Sequence, residues 1–312
     1  MGIGKGRGKS ILFGEHFVVY GLPALAAGID SETVAKITRK DMPGWSLDDD
    51  RPATPGYKEK KLDEQKISIN NIISHVGVDA SEQGIHIELG GDLICASGIG
   101  ASAASCVAIA RALNDEFDLG LNDEQINEAA YEGEKGYHGT PSGIDNTAST
   151  YGGLVWYERD LDCGPPTFNR IELDEPVSLV IASTGLTAST TEVVGDVRQK
   201  KKENPEWFDN IADEYKSLVQ DGLQALKQHN LKRAGELMSR NHDLLQQLTV
   251  SCKELDDFVE TAMANGALGA KLTGTGRGGN MISLPPNKLA GDKIAAALEG
   301  RGAATVLRTT FG

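Results

Sequence analysis

Long apolar runs are missing from this chain. No stretch approaches the ~18 consecutive apolar residues of a membrane-spanning helix. The N-terminus has no apolar signal core. Gly2 does not open a myristoylation motif, because Gly6 stands where that motif wants Ser or Thr. Cysteine is scarce: Cys95, Cys106, Cys163 and Cys252 are widely spread and form no Cys-x-x-Cys pair. That leaves no zinc or redox motif and fits free thiols in a reducing cytosol. The six histidines show no His-x-x-x-His spacing. Clustered positive charge is absent too. With 31 Lys and Arg against 45 Asp and Glu the net charge is −14, which argues against nucleic acid or an anionic membrane as partner. There is no internal repeat and no low-complexity tract. What is present, 39% apolar and 24% charged residues over 312 positions, fits a soluble cytoplasmic protein of one large domain or two ordinary ones.

Hydrophobic patterning gives a coarse map. Residues 11–14 and 17–20 read as short strands separated by a turn, and 24–29 and 33–38 continue as strands. Residues 41–66 are polar and Pro-containing and read as a partly irregular surface excursion. A helix is expected over 67–76 and a strand over 85–89. Ala101–Phe117 is a clear helix, with Val107, Ala110, Leu113 and Phe117 on one face. Asn122 caps a second helix running to about 137. Strands are expected at 153–157 and Val177–Ser183, then helices near 190–202, 205–228, 230–248 and 253–265. A strand at Asn280–Leu284, a helix at 287–299 and a strand at 304–309 close the chain. A strand-rich first half and a helix-rich second half indicate an α+β protein of two domains, 1–172 and 173–312.

Three segments carry chemistry. Gly6-Arg7-Gly8-Lys9-Ser10 tempts towards a P-loop and fails: Ile3 stands where the first glycine belongs, and no strand can precede it. Ser97-Gly98-Ile99-Gly100-Ala101-Ser102-Ala103 is the better phosphate cradle. Its glycines let backbone approach a polyanion, and it runs into the N-terminus of a helix. His138-Gly139-Thr140-Pro141-Ser142-Gly143-Ile144-Asp145-Asn146 presents Asp145 behind a turn stiffened by Pro141, with a second acid, Glu134, in the helix upstream. Singly, each has an ordinary reading: a capped helix, a solvated charge, a turn aspartate. Together they are what metal-assisted phosphoryl transfer needs, with Ser102 and Glu134 as oxygen ligands for magnesium and Asp145 for the nucleophile. Lys271-Leu272-Thr273-Gly274-Thr275-Gly276-Arg277-Gly278-Gly279-Asn280 is a second glycine-dense loop, and Arg277 in it is expected to meet a phosphate.

These motifs, in this order, resemble those of the GHMP kinases, named for galactokinase, homoserine kinase, mevalonate kinase and phosphomevalonate kinase. Gly14-Glu15-His16, Val18-Val19, Gly21 and the 138–146 stretch look most like the mevalonate-phosphorylating branch, as does Arg51-Pro52-Ala53-x-Pro55-Gly56-Tyr57. The resemblance implies an N-terminal domain like the second domain of ribosomal protein S5 and a ferredoxin-like C-terminal domain. It implies ATP as co-substrate, Mg2+ as cofactor and mevalonate as acceptor, in a monomer or homodimer, with inhibition by prenyl diphosphates left open. By position it makes Asp145 and Lys9 catalytic. Ser97, Gly98, Ile99, Gly100, Ala101, Ser102, Ala103 and Ser105 match the nucleotide loop, and Ser102 and Glu134 the metal ligands. Glu15, His16, His138, Ser142, Thr187 and Thr273 match the acceptor pocket. Ala101 replaces a serine common in the family, Arg277 interrupts a glycine run, and Cys95-Ala96 replaces a proline-bearing lead-in. No Lys or Arg cluster beside the motifs suits an acceptor that already carries a phosphate. A sensor that had lost catalysis would not need Lys9, Ser102, Glu134 and Asp145 together. No motif fixes the adenine pocket, which is expected within residues 48–75.

Overall fold

The glycines at the start of the chain alternate, and the alternation has a structural purpose. The computed structural model describes every residue except 54, 55, 96, 97, 163 and 165. In it, residues 2–13 form one strand, β1 (Gly2–Phe13), whose Gly2, Gly4 and Gly6 face helix α3 (Ala101–Phe117). A Cβ on Gly2, Gly4 or Gly6 would lie 2.3, 2.1 or 2.0 Å from the carbonyl oxygens of Ala112, Ala108 and Ala104. Strand backbone therefore rests on helix backbone, with alanines four residues apart opposite glycines two apart. The odd-numbered Ile3 and Lys5 point to solvent.

The chain divides into two units: Met1–Lys9 with Gly28–Gly152, and Ser10–Ala27 with Gly153–Gly312. These do not coincide with the expected cut at 172/173. In the first unit β1 pairs with β2 (Ala24–Lys40), which runs antiparallel to β4 (Gly84–Gly91) and sets Ala35 opposite Leu89 and Ile37 opposite Ile87. β3 (Trp45–Asp49) lies parallel to β4 on its other side. Helices α1 (Tyr57–Lys60), α2 (Leu62–His75), α3, α4 (Asp123–His138) and α5 (Ile144–Tyr151) complete the unit. Ile37, Ile69, Ile72, Ile85, Ile87, Val107, Leu113 and Ile126 form its core. Asn122 and Gln125 make a reciprocal capping box at the start of α4. Gly136 lets α2 approach closely, since a Cβ there would sit 2.5 Å from the Ser68 nitrogen.

The second unit carries the antiparallel hairpin β5 (Gly153–Glu158) and β6 (Thr167–Ile171). It also carries β7 (Val177–Ser183), β8 (Gly269–Thr273), β9 (Asn280–Leu284) and β10 (Thr305–Phe311), in the order β10-β7-β9-β8 with every neighbour antiparallel. Numbered within this sheet, that is 4-1-3-2, the split β-α-β arrangement of ferredoxin-like domains. Helices α6 (Thr190–Glu203), α7 (Pro205–Lys227), α8 (Leu231–Gln247) and α9 (Lys253–Ala264) lie between β7 and β8, and α10 (Lys288–Gly300) between β9 and β10. Ser189, Asn204, Asn230 and Asn287 cap α6, α7, α8 and α10 with side-chain acceptors. β8 is an edge strand, but its outward N–H groups are taken: Ala270 donates to Ser239 Oγ and Leu272 to His242 Nδ1, both on α8. The 10–27 segment packs here through Phe17, stacked on Tyr215 with centroids 3.9 Å apart.

The expected strand at 17–20 is a short 3-10 turn, Val18–Tyr20. The expected pair at 24–29 and 33–38 is one strand, β2. The excursion at 41–66 contains β3, α1 and the start of α2. α5, β6 and β8 were not foreseen as elements. Among the described residues, no helix is long and apolar enough to cross a membrane.

The backbone contact is testable. Gly4→Ala should cost about 1–3 kcal/mol or more by overpacking. Gly90→Ala, whose Cβ meets nothing within 4 Å, should be neutral or slightly stabilising. Urea unfolding midpoints for the two variants check this, and equal midpoints would contradict the contact.

Candidate active site

The described part of the expected phosphate loop, from Gly98 on, leads directly into α3. Gly98 and Gly100 both take positive φ, 97° and 71°, and Gly100 is the N-cap of α3. Lys9 donates its backbone N–H to the Ile99 carbonyl at 2.9 Å. A Cβ on Gly100 would come within 2.6 Å of the Lys9 Cγ, so glycine is needed there for the lysine stem to pass. Ala101 and Ala103 are buried and can offer only backbone, while Ser102 is half-buried at the first turn of α3. Ser105 is buried and donates to the Ser102 carbonyl at 2.8 Å, so its hydroxyl is spent within the helix. Ser97 lies outside the described residues.

The first unit brings its carboxylates and lysine together. Lys9 Nζ lies 3.0 Å from Asp145 Oδ1; the lysine is buried and the aspartate 29% exposed, so one face of the pair remains open. Asp145 sits in the first turn of α5, where the helix N-terminus favours negative charge. Gly143, at φ 88°, caps that helix, and the Thr147 hydroxyl donates to the Gly143 carbonyl at 2.7 Å. Asn146 ties the turn to α4 through Asn127 Oδ1 at 2.8 Å. Glu134, on α4, is 1% exposed, and its Oε1 has no hydrogen-bond partner among the described residues. Burial, then the Asp145 charge, push its carboxyl up to about 8, against a Ser102 hydrogen bond and the Lys9 charge. His138 Nε2 lies 3.8 Å from Glu134 Oε2, and burial lowers its pKa against the pull of Asp145. Ser142 lies between His138 and Asp145 in sequence and is half-buried.

A cavity opens beside the first turn of α3, lined by Asp49, Arg51, Tyr57, Gln65, Cys95, Tyr137 and Ser102. Its wall is a polar network in which Arg51 and Tyr57 belong to the 51–57 motif, while their pairing with Asp49 and Gln65 was not legible in the sequence. Arg51 donates to Asp49 through Nε at 2.9 Å and through Nη2, Gln65 Nε2 donates to Asp49 Oδ2 at 2.9 Å, and Lys58 pairs with Asp49 at 3.5 Å. Arg51 also reaches the Ala101 carbonyl at 3.4 Å, which links the network to the cradle. Burial would raise Asp49, but Arg51, Gln65 and Lys58 together hold it at about 2. Burial pushes Tyr57 up to about 12.

In the second unit the remaining predicted residues take different places. Glu15 is fully buried against Lys271. His16 accepts a left-handed backbone, φ 63°, and its Nε2 lies 2.7 Å from the Thr275 carbonyl. Thr273 is buried and exchanges hydrogen bonds with the Ile11 backbone, at 3.2 Å and 3.0 Å. Thr187 is exposed in the loop before α6. Arg277, expected to meet a phosphate, points its guanidinium at Asp196 of α6 and at the Thr249 carbonyl, the latter at 3.2 Å. Among the described residues no group of three or more His, Cys, Asp or Glu could hold a metal ion. A cation at Ser102 and Glu134 would therefore take most of its oxygens from phosphate and water.

A glycine-capped helix N-terminus and a lysine-paired carboxylate thus lie in the first unit, and comparison with known proteins gives the family. The model of the GHMP kinases N terminal domain matches residues 66–153, and that of the GHMP kinases C terminal domain matches 223–304. The chain belongs to the GHMP kinases. Its relatives within that family include the mevalonate kinase of Thermococcus sibiricus, 34% identical over 94% of this chain and 91% of the relative. That of Pyrococcus abyssi is 33% identical over 90% and 87%. A solved structure, L. major mevalonate kinase in complex with R-mevalonate, matches with a TM-score of 0.95 and 44% identity, covering 100% of this chain and 96% of that one.

The Asp49 network gives a pH prediction. A carboxyl held at about 2 against 3.8 when unperturbed stabilises the fold above pH ~4 and loses that contribution as pH falls from about 4 to 2. The difference corresponds to about 2 kcal/mol. Asp49→Asn should lose this pH-dependent component, so unfolding free energies of variant and wild type should converge towards pH 2. A constant gap across that window would contradict the assignment.

Proposed function

We infer that this chain transfers the γ-phosphoryl group of ATP to the 5-hydroxyl of mevalonate, giving 5-phosphomevalonate and ADP. The observation that carries the reading is the half-open Lys9–Asp145 pair beside a glycine-capped helix N-terminus and an unpartnered buried carboxyl oxygen. The acceptor is supported by the names of the relatives and by the R-mevalonate bound in the matching structure.

Asp145 receives the proton of the attacking hydroxyl and orients it, and Lys9 fixes the carboxylate and steadies charge on the acceptor side. The transition state of phosphoryl transfer is loose, so positioning contributes as much as proton removal. Backbone N–H groups at the start of α3 bind phosphate oxygens. The orphaned Glu134 oxygen and the Ser102 hydroxyl bonded to that side chain suit magnesium, which when bound offsets negative charge on the phosphates. The cavity of Arg51, Tyr57, Gln65 and Tyr137 borders the first turn of α3, on the nucleotide side of the proposed site. His16, His138, Ser142 and Thr187 serve the acceptor. Glu15 and Thr273 are occupied within the protein and act by support.

Asp145→Asn should lower kcat by about 10²–10⁴-fold and leave ATP binding nearly intact, as read by a coupled ADP-release assay and ATP titration. Retention of more than about a tenth of wild-type turnover would remove Asp145 from the chemistry. A second outcome follows from Glu134. A group raised to about 8 from 4.5 keeps its proton in the free protein up to that pH, and a cation must displace it. Affinity for magnesium-ATP should therefore rise with pH, by up to about tenfold per unit, and level off near pH 8. Calorimetry on Glu134→Gln should show a flat profile with weaker binding.

A further inference from the structure

One buried charge in the second unit has no place in the chemistry above. Lys271, on β8, is fully enclosed, as is its partner Glu15, 256 residues earlier in sequence. The ammonium also donates to the Leu272 carbonyl at 2.6 Å. Isolated in a protein interior, such a charge is costly, so the pair survives only if its geometry is held. The geometry is held by a repeat of two. Lys271, Thr273 and Thr275 alternate along the strand and the turn after it, and they engage Glu15, the Ile11 backbone and His16 respectively. Lys271 and Thr273 share one face of β8, and the Thr275 carbonyl in the turn beyond adds a backbone contact, so two side chains and one carbonyl grip the 10–27 segment.

The grip ends on a strained residue. His16 is one of the few non-glycine residues with positive φ, at 63°, a conformation that persists where the surroundings impose it. Its Nε2 faces the Thr275 carbonyl, which can only accept, so Nε2 carries the hydrogen and Nδ1 is a bare acceptor. Nδ1 is buried and has no partner among the described residues. Burial, with Arg277 nearby, also lowers the ring's pKa despite the Thr275 bond, which keeps it neutral. Glu15 is the residue immediately before His16, so where Lys271 pulls Glu15 decides where the His16 backbone goes.

We propose that Lys271 is a positioning residue for phosphoryl transfer: by drawing Glu15 inward it locks His16 as the neutral Nε2–H tautomer, with Nδ1 set to accept a hydrogen bond from a hydroxyl of the acceptor. This rests on the reading that His16 borders the acceptor. It makes His16 a reader of hydroxyl donors and not of carboxylates, which a bare Nδ1 would repel.

The test uses the full chain as wild type, as Lys271→Met, and as Glu15→Leu with Lys271→Met. An apolar replacement of a buried ion pair is often neutral in stability, so the double variant keeps the test open if the single one fails to fold. Two readouts are taken: nitrogen-15 shifts of the His16 ring, and the Michaelis constants for mevalonate and ATP. Expected are an Nε2–H tautomer in wild type, a mixture of tautomers in the folded variants, and a mevalonate KM raised by about tenfold or more with ATP KM unchanged within about twofold. A folded double variant with wild-type His16 shifts and wild-type mevalonate KM would overturn the proposal and leave the pair a stability element only. Wild type that turns over no mevalonate would overturn the functional reading instead. The ring shifts in the variants would then still decide whether Lys271 sets the tautomer.

Discussion

A strand can lie on a helix at backbone distance only where both give up their side chains. The contact of Gly2, Gly4 and Gly6 with Ala112, Ala108 and Ala104 is such a place, and the first unit's site hangs from it. It fixes the height of β1 over α3, and the same strand then delivers Lys9 to the Ile99 carbonyl and across Gly100. A strand held farther off by ordinary side chains would carry the Lys9 ammonium away from Asp145. The Lys9–Asp145 distance is thus set by a packing contact several residues upstream, in which no ionisable group takes part. The cost is conformational, because each glycine surrenders more backbone freedom on folding than another residue would.

The opposite economy operates at Glu134. The fold buries a carboxyl and leaves one of its oxygens without a donor, which is unfavourable for the free protein. The neighbouring Asp49 shows what the same fold does when a carboxylate has only to be stable: it surrounds it with Arg51, Gln65 and Lys58. Among the described residues the two acids thus differ in how fully their oxygens are satisfied.

Much of this was legible in the sequence, for reasons that differ by element. Ala101–Phe117, Val177–Ser183 and Asn280–Leu284 matched their expected bounds because their apolar patterns are strong and their ends are punctuated. The order of the C-terminal sheet follows the ferredoxin-like expectation. Residues 2–10 went unread as a strand because glycine is a poor strand former, and the informative signal was the period of the glycines and not their propensity. Residues 17–20 look like a strand by composition, yet the stacking of Phe17 on Tyr215 imposes a turn. α5 is made of Asn, Thr and Ser, weak helix formers that tertiary contacts hold in place. Lys9, Ser102, Glu134 and Asp145 could be singled out because chemistry restricts residue type, and the structure brings them near one another. The Asp49–Arg51 network could not, since neither residue is unusual until the chain folds it inward. Arg277 suggested a phosphate by its charge; the structure pairs it with Asp196, 81 residues away in sequence, a contact that no local pattern signals.

The row of Lys271, Thr273 and Thr275 also bears on how the chain is made. Residues 10–27 belong to the second unit, yet they leave the ribosome long before the residues that grip them. At ordinary synthesis rates of about 5–20 residues per second, Glu15 waits on the order of tens of seconds for Lys271. During that interval Phe13, Phe17 and Leu25, all fully buried in the finished protein, have no final partner, and the nascent N-terminus is an apolar segment in need of shelter. The second unit is therefore completed only once the strand that holds its earliest segment has been made.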